Sequence, residues 1–177
     1  MRKPAAATPI AFVRAVVLAY AQRGLDPSAA LKQAQIAPSD LYRADGRITA
    51  AQLEEVSAHA MRELDDEALG WFSRRLPWGS YGMLARASSG APTLGLALKR
   101  WCRHHGLLTD DVRLTLETHD RVARLRIEER RALGALREFC LVTLLRNAHG
   151  LACWWIDARV PLFETRLPFP APAHVDV

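Results

Sequence analysis

The densest group of residues able to do chemistry is the run Trp101-Cys102-Arg103-His104-His105. Cys102 and His105 are three positions apart, so on a helix both side chains could face one metal ion. A zinc site takes three or four such ligands, and the sequence offers no second cluster with matching spacing. We therefore predict a packed Cys102, a solvated His104 near a helix end and no bound metal.

A second chemical possibility is a phosphate-binding loop, because Gly90 and Gly95 in SSGAPTLGLALKR are separated by four residues. In a working loop the second glycine is followed at once by Lys and then by Ser or Thr. Here Leu96 and Ala97 follow, and Lys99 comes too late. The pattern excludes a nucleotide site, and we assign Gly90 to a tight turn and Gly95 to close packing against another backbone.

The remaining nucleophiles and carboxylates form no enzyme motif. Cys140 lies in an apolar run without a neighbouring base, whereas reactive cysteines need electropositive, partly exposed sites. The carboxylates of residues 65–67 are typical of a helix start, where the helix dipole favours negative charge. We predict a chain that is not an enzyme and has no cofactor.

Aromatic residues are the better guide to function, because ligand pockets are mostly apolar with a few placed polar groups. Core packing is the leading interpretation for Trp71 and Phe139. Trp78 and Tyr81 stand at a loop-helix junction, where pockets often open. A closed pocket near these two residues and Trp101 would favour ligand sensing, whereas a filled core with a large apolar surface patch would favour a module for protein assembly. Our predicted ligand-binding residues are Trp78, Tyr81, Trp101 and Phe139.

Helix signals dominate the first half of the chain. Four starts are predicted, at Thr8-Pro9, Asp26-Pro27-Ser28, the capping box of Thr49 and Gln52, and the acidic run at 65–67. The corresponding ends are near Gly24, Ala34, Leu64 and Arg74. A short helix over 80–87 and a helix opened by Pro92 follow. The second of these carries one apolar stripe, formed by Leu94, Ala97, Leu98, Trp101 and His105.

The second half changes to a period of two. Residues 112–116 and 123–127 alternate apolar and polar around a short turn, which predicts a hairpin. A long helix is predicted from about Arg131 to Ala148, ended by His149-Gly150, and a further strand over 159–167. If Trp154 and Trp155 lay on a strand, one would be exposed and could form a contact surface, although a packed pair beneath missing downstream strands would explain them equally well. The expected fold is α+β, an N-terminal helical bundle-like segment followed by a small antiparallel sheet packed on a long central helix.

Size and charge place few limits on function. A chain of 177 residues, half of them hydrophobic, fits a single domain over 1–177. The net charge of +5 is spread thinly, without the dense basic block of a nucleic-acid arm. Three cysteines without a CxxC pair favour reduced thiols and a cytoplasmic location. No run is apolar enough to span a membrane, and the start of the chain lacks a signal-peptide cleavage site.

Several segments together resemble one protein family. They are Leu69-Gly70, Tyr81-Gly82, Pro92-Thr93-Leu94-Gly95 and Pro170-Ala171-Pro172-Ala173-His174. Their order is similar to the N-terminal effector-binding and dimerisation region of AraC/XylS-type bacterial transcription regulators, in the arabinose-binding-like branch. That family commonly has Ser where this chain has Ala91, so we expect a lost helix cap worth about 1 kcal/mol.

The resemblance implies a small-molecule sensor. Family members continue beyond the Pro-Ala-His segment into further strands and two helix-turn-helix motifs, so we expect this chain to be a truncated piece that contacts DNA only through a missing domain. It also implies a homodimer and an effector of unknown identity. The alternative is a protein-protein interaction or dimerisation module with no small-molecule ligand.

Overall fold

The computed structural model describes residues 7–120 and 122–174. Within them the chain forms six α-helices and two antiparallel two-stranded sheets, which confirms the α+β class. The elements are β1 (Thr8–Pro9), α1 (Ala11–Ala21), α2 (Ser28–Gln33), β2 (Arg47–Ile48), α3 (Ala50–Glu63), α4 (Ser80–Ser89), α5 (Leu94–His105), β3 (Val112–His119), β4 (Val122–Glu129) and α6 (Arg137–Trp155). Short 3-10 turns occupy Pro38–Tyr42 and Gly134–Leu136.

The described residues divide into two compact units, residues 7–70 with 168–174 and residues 71–120 with 122–167. In the first unit α1 and α2 both pack against α3. The helical spacing of apolar residues explains the packing, since the buried side chains include Val13, Val16, Ala19, Leu31, Leu53, Val56 and Ala60. The prediction that Thr8-Pro9 starts the first helix is wrong by two residues, because these residues pair with Arg47–Ile48. The capping box of Thr49 and Gln52 is confirmed.

The helix predicted from Asp65 to Arg74 is absent. The Asp66 carboxylate is buried and accepts hydrogen bonds from the backbone N–H groups of Ala68, at 3.0 Å, and Gly70, at 2.9 Å. It also pairs with Arg23. A short acidic side chain that captures local N–H groups competes with helix formation, and Asp65, Leu69 and Gly70 all have positive φ. The acidic run therefore forms a turn instead of a helix start.

In the second unit α5 is the central element, with contacts to α4, to β3 and to α6. Its buried side chains are Ala97, Trp101, Cys102 and His105. Three of these belong to the predicted apolar stripe, whose other members, Leu94 and Leu98, are half-buried. The core is completed by residues from every neighbouring element, chiefly Trp71, Leu76, Leu84, Val112, Leu114, Leu136, Phe139, Cys140 and Leu144.

The start of α5 differs from the prediction. The helix begins at Leu94, and its cap is Thr93, whose hydroxyl accepts a hydrogen bond from the Leu96 N–H at 3.2 Å. Pro92 therefore precedes the cap, and the cap expected to be missing at Ala91 is supplied two residues later. The assignment of Gly95 to close packing is wrong, because a Cβ added there would meet nothing within 4 Å. Gly90 does lie in a turn, at φ −75°.

The hairpin is confirmed, with Leu114 opposite Ile127 and Leu116 opposite Leu125. The helix that follows is shifted from its predicted range. It cannot begin at Arg131, since Gly134 has a φ of +58°, and it runs through His149-Gly150 to Trp155. Asp157, at φ +47°, follows its end.

The strand predicted over 159–167 is also absent. These residues are irregular and mostly exposed, and Pro161 cannot donate to a ladder. Trp154 and Trp155 consequently lie on the last turn of α6, not on a strand. No described helix has the length and apolar character needed to cross a bilayer.

Candidate functional site

The predicted ligand-binding residues lie in different settings within the second unit. Trp101 is fully buried on α5, and Phe139 is buried on α6. Tyr81 is half-buried in the first turn of α4. Trp78 precedes α4 and is 47 % exposed. The structure therefore places three of these residues in or beside the core and leaves Trp78 at the surface.

His105 joins Tyr81 to Trp101. The Tyr81 hydroxyl lies 3.1 Å from His105 Nε2, and the Tyr81 and Trp101 rings are centred 5.8 and 5.7 Å from the imidazole. Phe72 is centred 6.0 Å from His105 and 6.1 Å from Trp71, which in turn packs edge-on against Phe139 at 5.3 Å. We call this set the aromatic cluster: Trp71, Phe72, Tyr81, Trp101, His105 and Phe139.

Three nitrogen atoms of the aromatic cluster are buried without a hydrogen-bond partner among the described residues. They are Trp71 Nε1, Trp101 Nε1 and His105 Nδ1. Each indole N–H can only donate, whereas the role of Nδ1 depends on which ring nitrogen carries the proton. Leaving one such group unpaired costs roughly 1–3 kcal/mol. Three further buried atoms without a partner among the described residues, His104 Nδ1, Thr143 Oγ1 and Trp155 Nε1, lie outside the cluster. Buried polar groups in proteins are normally paired, so the three that meet in the aromatic cluster make it a candidate functional site.

Burial keeps this region uncharged. It lowers the pKa of His105 to about 4, so the imidazole is neutral at physiological pH. Burial likewise raises the pKa of the Cys102 thiol to about 11 and that of Cys140 to about 12. Both cysteines are packed thiols, as predicted. His104 was predicted to be solvated, but it is half-buried and its Nδ1 is fully buried. No group of three or more potential metal ligands occurs among the described residues.

A separate groove of about 480 Å³ lies between α5 and β3. Its walls include Lys99, Cys102 and Arg103 of α5, residues 112–116 of β3, and Arg130. Lys99 and Arg103 lie on a different face of α5 from Trp101 and His105, because of the helical spacing. None of the four predicted ligand-binding residues lines this groove.

Sequence reasoning missed His105 as the residue that joins the cluster. The pattern did place it on the apolar stripe of α5, four positions after Trp101, but that position gave no sign of its contact with Tyr81. The contact depends on how α4 packs against α5, which is tertiary information. A histidine on an otherwise apolar helix face was the available signal.

Comparison with known proteins identifies the family. A family model described as the N-terminal arabinose-binding domain of AraC transcription regulator matches residues 24–177. The chain belongs to this family. The resemblance found in the sequence motifs is thereby confirmed, and the arabinose-binding family is one of transcription regulators.

One curated relative of this arabinose-binding family member is the ornithine utilization regulator of Pseudomonas aeruginosa. It is 27 % identical over 169 residues, which is 94 % of this chain and 49 % of the relative. The chain thus spans about half the length of the curated relative it matches. No solved structure matches the chain.

Proposed function

We propose that this chain is the ligand-sensing and dimerisation module of a bacterial transcription regulator, and that it controls DNA binding by an attached helix-turn-helix region. Membership of the arabinose-binding family supports the regulatory role. The single observation that carries ligand sensing is the aromatic cluster, with three buried nitrogen atoms that lack partners among the described residues.

The chemistry of the cluster indicates a class of effector. Trp71 and Trp101 each present an N–H that can only donate, so a matching ligand must bring acceptor atoms, such as the oxygens of a carboxylate or carbonyl group. The surrounding rings of Phe72, Tyr81 and Phe139 favour a ligand with an apolar or aromatic body. The proposed effector is therefore a small organic molecule with both features.

The proposed mechanism is a shift of population between two arrangements of the module. An effector that binds one arrangement better stabilises it, and the size of the response is limited by the difference in affinity. Pairing the buried nitrogen atoms supplies such a difference, because only an arrangement that brings the effector to them gains these hydrogen bonds. The attached DNA-binding regions would then be placed differently with and without effector.

A thermal-shift screen tests ligand sensing. The panel consists of amino acids including ornithine, polyamines, fatty acids and aromatic acids, and ornithine is included because of the name of the relative. We expect at least one oxygen-bearing compound to raise the Tm of the 177-residue chain, since a ligand that binds only the native state stabilises it. No stabilisation by any compound would contradict ligand sensing.

A pair of tryptophan variants then tests the site. Trp101→Phe keeps the aromatic body and removes the N–H, so it should diminish the Tm shift given by the active compound. Trp154→Phe is the matched control, because Trp154 is 72 % exposed at the end of α6. Equal shifts in both variants would place the effector elsewhere.

The alternative function, an interaction module without a ligand, is favoured by a different observation. Large apolar side chains are exposed towards the end of the second unit, among them Trp154, Ile156, Leu162 and Phe163, the last 81 % exposed. Exposed apolar surface of this kind marks protein contacts. This alternative predicts a failed ligand screen together with self-association that weakens when Trp154 or Phe163 is replaced by Ser.

A further inference from the structure

One edge of the β3–β4 hairpin is left without a partner strand. The Arg130 N–H donates to the Asp111 carbonyl at 2.8 Å, next to the pair Val112 and Glu129. Along an antiparallel pair of strands, every second residue forms backbone hydrogen bonds with the partner strand. The backbone N–H and C=O groups of Arg113 and Thr115 therefore bond to β4, and those of Val112, Leu114 and Leu116 point away from it. We call these outward backbone groups the outer edge of β3.

The outer edge of β3 is accessible. β3 pairs with β4 alone in a two-stranded sheet of the described chain. The outward N–H and C=O groups form no backbone hydrogen bond to another described residue. Residues 112–116 line an open groove between β3 and α5, so this part of the strand borders open space. A row of unpaired backbone groups is a template for a further strand.

We propose that the strand added to this edge is β3 of a second copy of the chain, antiparallel, with the two-fold axis at Thr115. This inference rests on the dimerisation part of the proposed function. Around that axis Leu114 lies opposite the partner's Leu116, and their outward backbone groups are the ones free to bond. Hydrogen bonding therefore permits the register.

Charge on one face of the strand supports the same register. Arg113 would lie opposite the partner's Glu117, and by symmetry the contact occurs twice. Both side chains are exposed and form no ion pair with another described residue. Within the hairpin Arg113 already faces Glu128, and Glu117 faces Arg124. Each row across the four strands would then alternate in sign, and opposite charges on neighbouring strands attract.

The other face of the strand supplies apolar contacts. Leu114 is buried, but Leu116, Leu125 and Ile127 are only half-buried in the single chain. The proposed register aligns Ile127, Leu114, the partner's Leu116 and the partner's Leu125 in one continuous row. Such cross-strand apolar pairs stabilise a sheet.

Neighbouring registers lose the charge match. An axis at Leu114 would place Arg113 opposite the partner's Thr115, and an axis at Leu116 would place it opposite the partner's His119. Both alternatives keep the outward backbone groups opposite each other. Charge therefore selects the axis at Thr115.

Charge reversal tests the pairing across the axis. We expect sedimentation equilibrium to show a dimer of the 177-residue chain, and Arg113→Glu or Glu117→Arg alone to weaken its Kd about tenfold, because each single change sets like charges opposite each other twice. The double variant should recover most of the affinity. Within the hairpin the double variant still sets like charges opposite each other, at Glu128 and at Arg124. Any recovery of dimer affinity must therefore come from contacts between the two copies. Arg146→Glu, on exposed surface of α6, is the control and should leave the Kd unchanged.

Disulfide formation tests the register directly. The two copies of residue 115 would form a non-hydrogen-bonded pair with Cα atoms about 4.5 Å apart, within disulfide range. Mild oxidation should therefore link Thr115→Cys into a covalent dimer on a non-reducing gel. Arg113→Cys has the same native thiols but would face the partner's Glu117, so it should not link.

The outcomes separate this inference from the function on which it rests. A dimer that is insensitive to both charge reversals, with no link through residue 115, would overturn the β3 pairing and leave dimerisation standing. A chain that is monomeric at every concentration would overturn the pairing and dimerisation together, while ligand sensing would be unaffected. Circular dichroism of each variant verifies that the hairpin and helices are retained.

Discussion

At the scale of the residue, burial determines the protonation state of His105 and hence its hydrogen bonding. Phe72, Tyr81 and Trp101 surround its ring, and Nε2 and the Tyr81 hydroxyl share a hydrogen bond. The low-polarity surroundings disfavour the charged imidazolium. His105 therefore acts in the cluster as a neutral hydrogen-bonding group.

This neutrality predicts a dependence of stability on pH. The pKa of His105 is about 4 in the folded chain and about 6.5 in an unfolded one. Between these values the unfolded chain binds more protons, so stability falls as the pH falls through this window. From pH 7 to pH 5 the loss attributable to His105 should be about 2 kcal/mol.

Urea unfolding at the two pH values measures the effect. His105→Gln retains a nitrogen that can reach Tyr81 but does not titrate. Between pH 7 and pH 5 this variant should therefore lose about 2 kcal/mol less free energy of unfolding than the unmodified chain. His119→Gln is the control, since His119 is exposed on the hairpin. An unchanged pH dependence in His105→Gln would show that the imidazole is not held neutral by burial.

At the scale of the element, the start of α5 shows how the local sequence determines where a helix begins. Thr93→Ala should destabilise the chain by about 1 kcal/mol, because it removes the oxygen that accepts from the Leu96 N–H. Ala91→Ser should have little effect, since residue 91 lies outside the cap. Chemical denaturation measures the free energy of unfolding of both variants. If Ala91→Ser stabilised the chain by as much as Thr93→Ala destabilised it, residue 91 and not residue 93 would be the cap position.

Two glycines of this region should respond in opposite directions to alanine. Gly95 lies within α5 with open space around it, so Gly95→Ala should stabilise the chain by up to about 1 kcal/mol. Gly79 has a φ of +99°, which an L side chain rarely adopts, so Gly79→Ala should destabilise it by about 1 kcal/mol or more. Loss of stability in Gly95→Ala, measured by thermal unfolding, would restore the idea of a close backbone contact at Gly95.

Elements with a clear period could be predicted from the sequence, and elements decided by distant contacts could not. The hairpin and the stripe of α5 follow from apolar spacing alone. The acidic run at 65–67 suggested a helix, but Asp66 instead satisfies local N–H groups and pairs with Arg23, 43 residues away in sequence. Similarly, Trp101 and Tyr81 were found as candidates from their positions, whereas their connection through His105 required the packing of α4 against α5.

At the scale of the whole molecule, α5 links the two halves of the proposed function. One face carries Trp101 and His105 of the aromatic cluster, and another borders the groove along the outer edge of β3. If the effector and the second copy bind at these places, each should change the affinity for the other by the same factor. Sedimentation of the chain with and without the compound found in the screen checks this expectation, and identical dimer Kd values would show that the two sites are independent.

The most direct test of ligand sensing at the aromatic cluster is the indole region of a proton-nitrogen correlation spectrum. The spectrum is recorded with and without each panel compound that raises the Tm, and resonances are assigned by Trp→Phe variants. We predict that binding shifts the Nε1–H signals of Trp71 and Trp101 downfield as they gain acceptors, while that of the exposed Trp154 stays in place. Binding that moves neither core indole signal would contradict the account.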